Sequence, residues 1–243
     1  MILIMKTALI TGGATRIGAE ITKTLHKNQF DVIIHYNQSE AKAKKLRDSL
    51  NSKRRDSATL LQANLGSISQ LNRLVEAIDN LDLLVNNASV FYPTPLDNCA
   101  ANDWDDIMNI NVRAPFYLSK GLRSKLQNSQ GCIVNIVDIH AERPLKNYPI
   151  YNISKTAIKT LTKTLAKDLA PSVRVCGVSP GSILWPEQKA ELESDKKQIL
   201  LERVALKRQG STSDIAEAVL FLANANYITG EVINVDGGRS LHQ

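Results

Sequence analysis

Tyr151 and Lys155 stand four residues apart in the stretch "YNISK" (151–155), and Asp138 ends an apolar run in "IVDIH" (136–140), thirteen positions before the tyrosine. Residues i and i+4 of a helix share a face, so this spacing sets a phenol beside an ammonium. A free phenol titrates near about 10 and is a poor acid–base group at neutral pH. A neighbouring ammonium favours the phenolate, so the pair is expected to carry protons with the phenol's pKa brought down. Asp138 admits two readings: a carboxylate capping a turn at a strand end, or the acidic member of a catalytic site. His140, two residues on, reads as a solvent-facing loop histidine.

A second group of residues could hold phosphates. "LITGGATRIGAEI" (9–21) runs from an apolar strand through small residues into a helix, where backbone N–H groups and a helix N-terminus cradle a pyrophosphate. Its spacing, Thr11-Gly12-x-x-x-Arg16-Ile17-Gly18, differs from G-x-G-x-x-G. If Arg16 must adopt positive φ, its β-carbon strains the backbone. A guanidinium facing phosphates offsets that with charge-assisted hydrogen bonds. The second strand ends "HYNQSE" (35–40). A carboxylate there would accept the ribose hydroxyls of NAD and repel a 2′-phosphate. His35, Tyr36, Asn37, Gln38 and Ser39 supply no such charge, so the expected cofactor is NADPH rather than NADH.

These residues need a scaffold. Apolar, β-rich runs recur at 7–11, 31–36, 58–63, 82–88, 132–137, 173–179 and 231–237. Amphipathic stretches at 17–28, 40–52, 67–79, 103–127, 152–170 and 213–223 lie between them. The alternation predicts one α/β domain over 1–243, a doubly wound parallel sheet of about seven strands with helices on both faces. "MILIM" (1–5) reads as the start of the first strand. The long charged segment 182–210 breaks the rhythm at a strand's carboxyl end and is expected to form a substrate lid.

Bulk properties describe an ordinary soluble protein: 243 residues, 43% hydrophobic and 22% charged. No apolar stretch approaches the roughly 18 residues of a membrane span. Cys99, Cys132 and Cys176 are odd in number and lack metal-ligand spacing, which fits free thiols in a reducing cytosol and a cytoplasmic protein. The net charge of +6 lies partly in runs such as "KAKKLR" (42–47) and "KRR" (53–55), read as solvated helix faces. No nucleic-acid motif accompanies it.

The glycine loop, the Tyr-x-x-x-Lys pair, "NNAS" (86–89), Asn111 in "NINVRAPF" (109–116) and "SPG" (179–181) resemble, in order and spacing, the short-chain dehydrogenase/reductase family. Arg16 stands where that family's TGxxxGxG loop has its middle glycine, and Asn64 where an aspartate is usual. Ordinary members carry a serine thirteen residues before the tyrosine, where its hydroxyl polarises a substrate carbonyl. This chain has Asp138. A carboxylate accepts hydrogen bonds and donates none unless protonated, which suits a nitrogen heterocycle better than a ketone.

Within the family, "TGGATRIG", "HYNQS", "NNASVFYPTPL" (86–96), "VDIHAERPL" (137–145) and "YITGEVINVDGG" (227–238) resemble the pteridine reductase branch. The resemblance implies a Rossmann-like fold, NADPH as cofactor, no metal, and reduction of a C=N bond in a pterin or folate. It implies a cofactor site of Arg16, Ile17, His35, Tyr36, Asn37, Ser39, Asn64, Leu65, Asn87, Ala88, Ser89, Tyr151, Lys155, Pro180, Gly181 and Ser182. Catalysis falls to Asp138, Tyr151, Lys155 and Asn111, the last carrying a structural water toward the lysine. Substrate meets Ser89, Phe91, Asp138 and Tyr151, with Phe91 stacking on the pterin. A homotetramer using helices 103–127 and 152–170 and the C-terminal strand is also implied.

Overall fold

The computed structural model of the chain describes residues 5–183 and 194–241. The seven apolar runs form seven strands: β1 (Lys6–Ile10), β2 (Phe30–Tyr36), β3 (Ala58–Gln62), β4 (Leu83–Asn86), β5 (Cys132–Ile136), β6 (Arg174–Pro180) and β7 (Val232–Val235). All pair in parallel, in the order β3-β2-β1-β4-β5-β6-β7. The first strand begins at Lys6 rather than within "MILIM": Met5 precedes it, and 1–4 lie outside the described residues.

Helices α1 (Arg16–Lys27), α2 (Glu40–Asn51) and α3 (Ile68–Glu76) fall on the first three amphipathic stretches. The single stretch at 103–127 divides into α4 (Ala101–Met108), α5 (Ala114–Gly121) and α6 (Arg123–Asn128). Between α4 and α5 lies one π-helical turn, Asn109–Arg113, in which the Ala114 N–H reaches back to Asn109 O. Pro115 has no N–H to return to the preceding turn, so the ladder slips to the wider spacing there. Pro149 opens α7 (Pro149–Leu169), where a missing N–H breaks no bond. Helices α8 (Ser194–Glu202) and α9 (Thr212–Asn224) complete the set among the described residues. The expected lid at 182–210 falls partly on 184–193, outside the described residues.

Successive strand residues point to opposite sheet faces, and the core divides accordingly. Ala8, Ile10, Leu83, Val85 and Val134 pack with Ile21, Leu25, Val219 and Leu222 beneath α1 and α9. Leu9, Leu84 and Ile133 pack with Leu71, Leu118, Leu122 and Leu165 beneath α3, α5 and α7. A sheet covered on both faces keeps only its ends open. The chain leaves β1 toward β2 and β3, then returns to place β4 on the other side of β1. Such a reversal of strand order is where a doubly wound sheet offers a crevice at the strands' carboxyl ends. No described helix is long and apolar enough to cross a membrane, and no described group of His, Cys, Asp or Glu could hold a metal ion.

Candidate active site

The loop after β1 is closed by contacts that only small residues allow. Gly12 has φ 61°, and a β-carbon on Gly18 would sit 2.2 Å from Gly12 O. Thr11 Oγ1 accepts the N–H groups of Asn87 and Ala88 (2.9 and 3.0 Å), and Asn87 Nδ2 donates to Thr11 O (2.8 Å). The ends of β1 and β4 are thereby locked together. Arg16 has φ 51°, so the strain anticipated for a side chain there is present, on the order of 1–2 kcal/mol.

His35 departs from expectation. Its Nδ1 accepts the Gly12 N–H (3.0 Å) and its Nε2–H donates to Ala63 O (3.0 Å), so both ring nitrogens serve the protein. Burial pushes the imidazole down to about 4 and keeps it neutral. It holds the glycine loop rather than offering a hydrogen bond to a ligand.

Arg16, Ile17, Tyr36, Asn37, Ser39, Asn64, Leu65, Asn87, Ala88 and Ser89 line, with His35, one cleft of about 400 Å³. Gly12, Thr15, Val90 and Ile110 join them. Thr15, the N-cap of α1, makes no side-chain capping bond, and the first turn holds no acidic residue. Its backbone donors and positive dipole end therefore remain suited to an anion. The cradle fits a dinucleotide's pyrophosphate. Asn64 Oδ1 already accepts the Gly66 N–H (2.9 Å), which leaves one lone pair for a ligand. Pro180, Gly181 and Ser182 are not among the residues lining this cleft. They close β6, two strands beyond β4, with the Gly181 N–H on Val235 O and Ser182 O accepting from Gly210.

Beyond β5 the side chains of Asp138 and Tyr151 meet, with Lys155 nearby. Tyr151 Oη donates to Asp138 Oδ2 at 2.7 Å, while Asp138 Oδ1 accepts the His140 N–H at 2.8 Å and caps the short 3-10 turn Ile139–Ala141. One carboxylate oxygen thus caps the turn while the other meets the phenol. Lys155 Nζ donates to Ile136 O (3.1 Å) and stands 5.5 Å from the Tyr151 ring centroid. Burial depresses the ammonium to about 8, opposed in part by Asp138.

The tyrosine overturns the expected direction. Burial, then the charge and hydrogen bond of Asp138, raise its phenol well above 10. Lys155 Nζ is turned to the Ile136 carbonyl, and burial with the carboxylate sets the direction. Here Tyr151 is a protonated donor.

Asn111, in the π turn, makes no side-chain hydrogen bond to Lys155. Its Oδ1 accepts from Val90 N (2.8 Å) and Ser89 Oγ (3.1 Å), and its Nδ2 donates to Val90 O and Ser154 Oγ (both 3.1 Å). It is a brace between the β4 loop and α7. His140 is half-buried rather than solvent-facing, with its ring Nδ1–H on Arg143 O (2.8 Å). Phe91 packs edge-on to Tyr151 (4.7 Å) and lies stacked on Tyr148 (4.6 Å, 12° between planes), so Tyr148 covers one ring face. Tyr148 escaped the sequence reading. Its spacing of three from Tyr151 was the available signal, since i and i+3 share a helix face.

The model of a family described as enoyl-(acyl carrier protein) reductase matches residues 12–240. The chain belongs to the short-chain dehydrogenase/reductase family. It is an oxidoreductase of that family. Pteridine reductase 1 of Leishmania tarentolae is 34% identical, over 96% of each chain. The 3-oxoacyl-(acyl-carrier-protein) reductase of Staphylococcus epidermidis is 32% identical, over 96% of this chain and 98% of the relative. A blue fluorescent protein from a metagenomic library, solved in complex with NADPH, superposes with a TM-score of 0.88 at 32% identity, over 96% of this chain and 97% of that one.

Proposed function

We propose that this short-chain reductase uses NADPH to reduce a C=N bond of a pterin or folate, taking a dihydropterin or dihydrofolate to the tetrahydro form. The Tyr151–Asp138 hydrogen bond of 2.7 Å carries the reading. NADPH held along the cleft of Thr15, Arg16, Ser39, Asn64 and Ala88 supplies the hydride; the absence of a carboxylate at the end of β2 favours its 2′-phosphate.

The chain's own residues supply the proton. Tyr151 keeps its phenol protonated and passes that proton to the nitrogen beside the carbon that gains hydride. The carboxylate of Asp138, half-exposed, relays a replacement from solvent and accepts a ring N–H of the heterocycle with its spare lone pairs. Lys155, at about 8, keeps much of its charge at neutral pH and steadies the phenolate that remains. Phe91, covered by Tyr148 on one face, offers the other to a flat bicyclic ring. A homotetramer using the helices over 103–127 and 152–170 and the C-terminal strand belongs to the same reading.

Asp138→Ser tests it. Pterin turnover is expected to fall by at least about 100-fold, the scale of a lost acid–base group, while NADPH still quenches protein fluorescence. Pterin turnover retained in that variant would show the carboxylate to be incidental.

A second reading, reduction of an oxoacyl thioester, is favoured by the 32% identical Staphylococcus relative. It requires a donor to a carbonyl oxygen where this chain has an acceptor. NADPH consumption with dihydrobiopterin, dihydrofolate and acetoacetyl thioester, measured side by side, separates the two.

A further inference from the structure

The sheet edge that carries Asp138 also carries a group of arginines outside the machinery described so far. Asp138 Oδ1 accepts the His140 N–H (2.8 Å), and the His140 ring donates to Arg143 O (2.8 Å). Arg143 Nη1 in turn donates to Arg239 O and Ser240 O (3.1 and 3.0 Å). Arg143 therefore sits five residues from the reacting carboxylate, no farther than about 18 Å of extended backbone. The 3-10 turn Arg239–Leu241 follows β7 at the same carboxyl end, because Val235 and Pro180 are register partners.

The segment that carries Arg203 lies against the same turn: the Leu206 N–H donates to Gly237 O (3.0 Å), two residues before Arg239. Burial first, then the charges of Arg143 and Arg203, lower the Arg239 guanidinium's pKa, and only Asp236 opposes them. Asp236 is already engaged, accepting the N–H groups of Gly238 (2.9 Å) and Ser240 (2.7 Å). Among the described residues, none of these three arginines forms an ion pair. Guanidinium forks that outnumber their one nearby carboxylate match further carboxylates two donors at a time.

We propose that Arg143, Arg203 and Arg239 form a subsite for the anionic tail of the substrate, the carboxylates of a glutamyl group, so that folates are preferred over pterins with neutral side chains. The inference rests on the pterin or folate reading of the Asp138–Tyr151 site. Arg143 also braces the C-terminal turn, which makes Arg203, exposed on the segment after α8, the cleaner site for substitution.

The test is the ratio of kcat/KM for dihydrofolate to that for dihydrobiopterin, in the full-length enzyme with NADPH. Arg203→Glu is expected to lower the ratio about tenfold, through KM, as for a reversed charge at a binding rim. Arg203→Lys, which keeps the charge, is expected to retain most of the ratio. A ratio that moves less than about twofold in Arg203→Glu overturns the subsite even where both pterins are reduced. The tail fragment N-(4-aminobenzoyl)-L-glutamate, followed by titration calorimetry, separates the two ideas. Fragment binding that Arg203→Glu abolishes supports the subsite even if no pterin is turned over, in which case the proposed reduction alone falls. Fragment binding equal in both proteins overturns the subsite.

Discussion

At Lys155 a single depressed pKa should set the alkaline limit of the reaction. The ammonium titrates at about 8, below its ordinary 10.5, because it is buried. Its charge is complete below that value and disappears as pH rises through it. The profile of kcat/KM is therefore expected to bend downward near pH 8. Asp138 is the one influence that opposes burial here, so Asp138→Asn should move the bend to lower pH in whatever activity remains. A profile flat to pH 10, or a bend unmoved in the variant, would remove Lys155 from the account. Tyr151 does not set this limb, because burial and Asp138 hold its phenol above 10.

The glycine loop and the strand end beside it act as one element, and His35 is the link. Its imidazole titrates at about 4 folded and about 6.5 when released. The unfolded chain thus takes up the proton first, and stability falls as pH drops from 6.5 toward 4. The difference amounts to about 3 kcal/mol once pH is below both values. Protonation also removes the acceptor for the Gly12 N–H. Denaturant unfolding of the native chain at pH 7 and pH 4.5 should show this loss, and His35→Gln should show less of it. NADPH affinity should decline over the same range, since the loop that cradles phosphate is the one His35 holds. Equal acid sensitivity in the two proteins would place the titrating group elsewhere.

On the scale of the whole molecule, the face of α4, α5 and α7 is open. Met108, Val112, Phe116, Ile153 and Leu161 line a groove of about 840 Å³, with Phe116 42% and Ile153 47% exposed. Exposed apolar patches in general are where partners dock. If the proposed homotetramer forms there, Ile153→Glu should reduce the mass measured by light scattering to that of a smaller assembly. Unchanged mass in that variant would move the interface to another face.

Strand existence was readable in the chain because seven apolar runs, each bounded by polar turns, can be buried only in a sheet covered on both sides. The loop from Thr11 to Gly18 and the Tyr151–Lys155 pair were readable for a similar reason: their chemistry depends on local spacing. Non-local geometry was not. Whether Asp138 capped a turn or met Tyr151 depended on how β5 and α7 pack, and packing gave it one oxygen for each task. The direction of the Tyr151 shift followed from its burial first and then from the carboxylate its hydroxyl reached, and the engagement of both His35 nitrogens followed from the packing of three strand ends. Residue type and spacing specify what a side chain is able to do; burial and the partner that folding brings within 3 Å select which of those things it does.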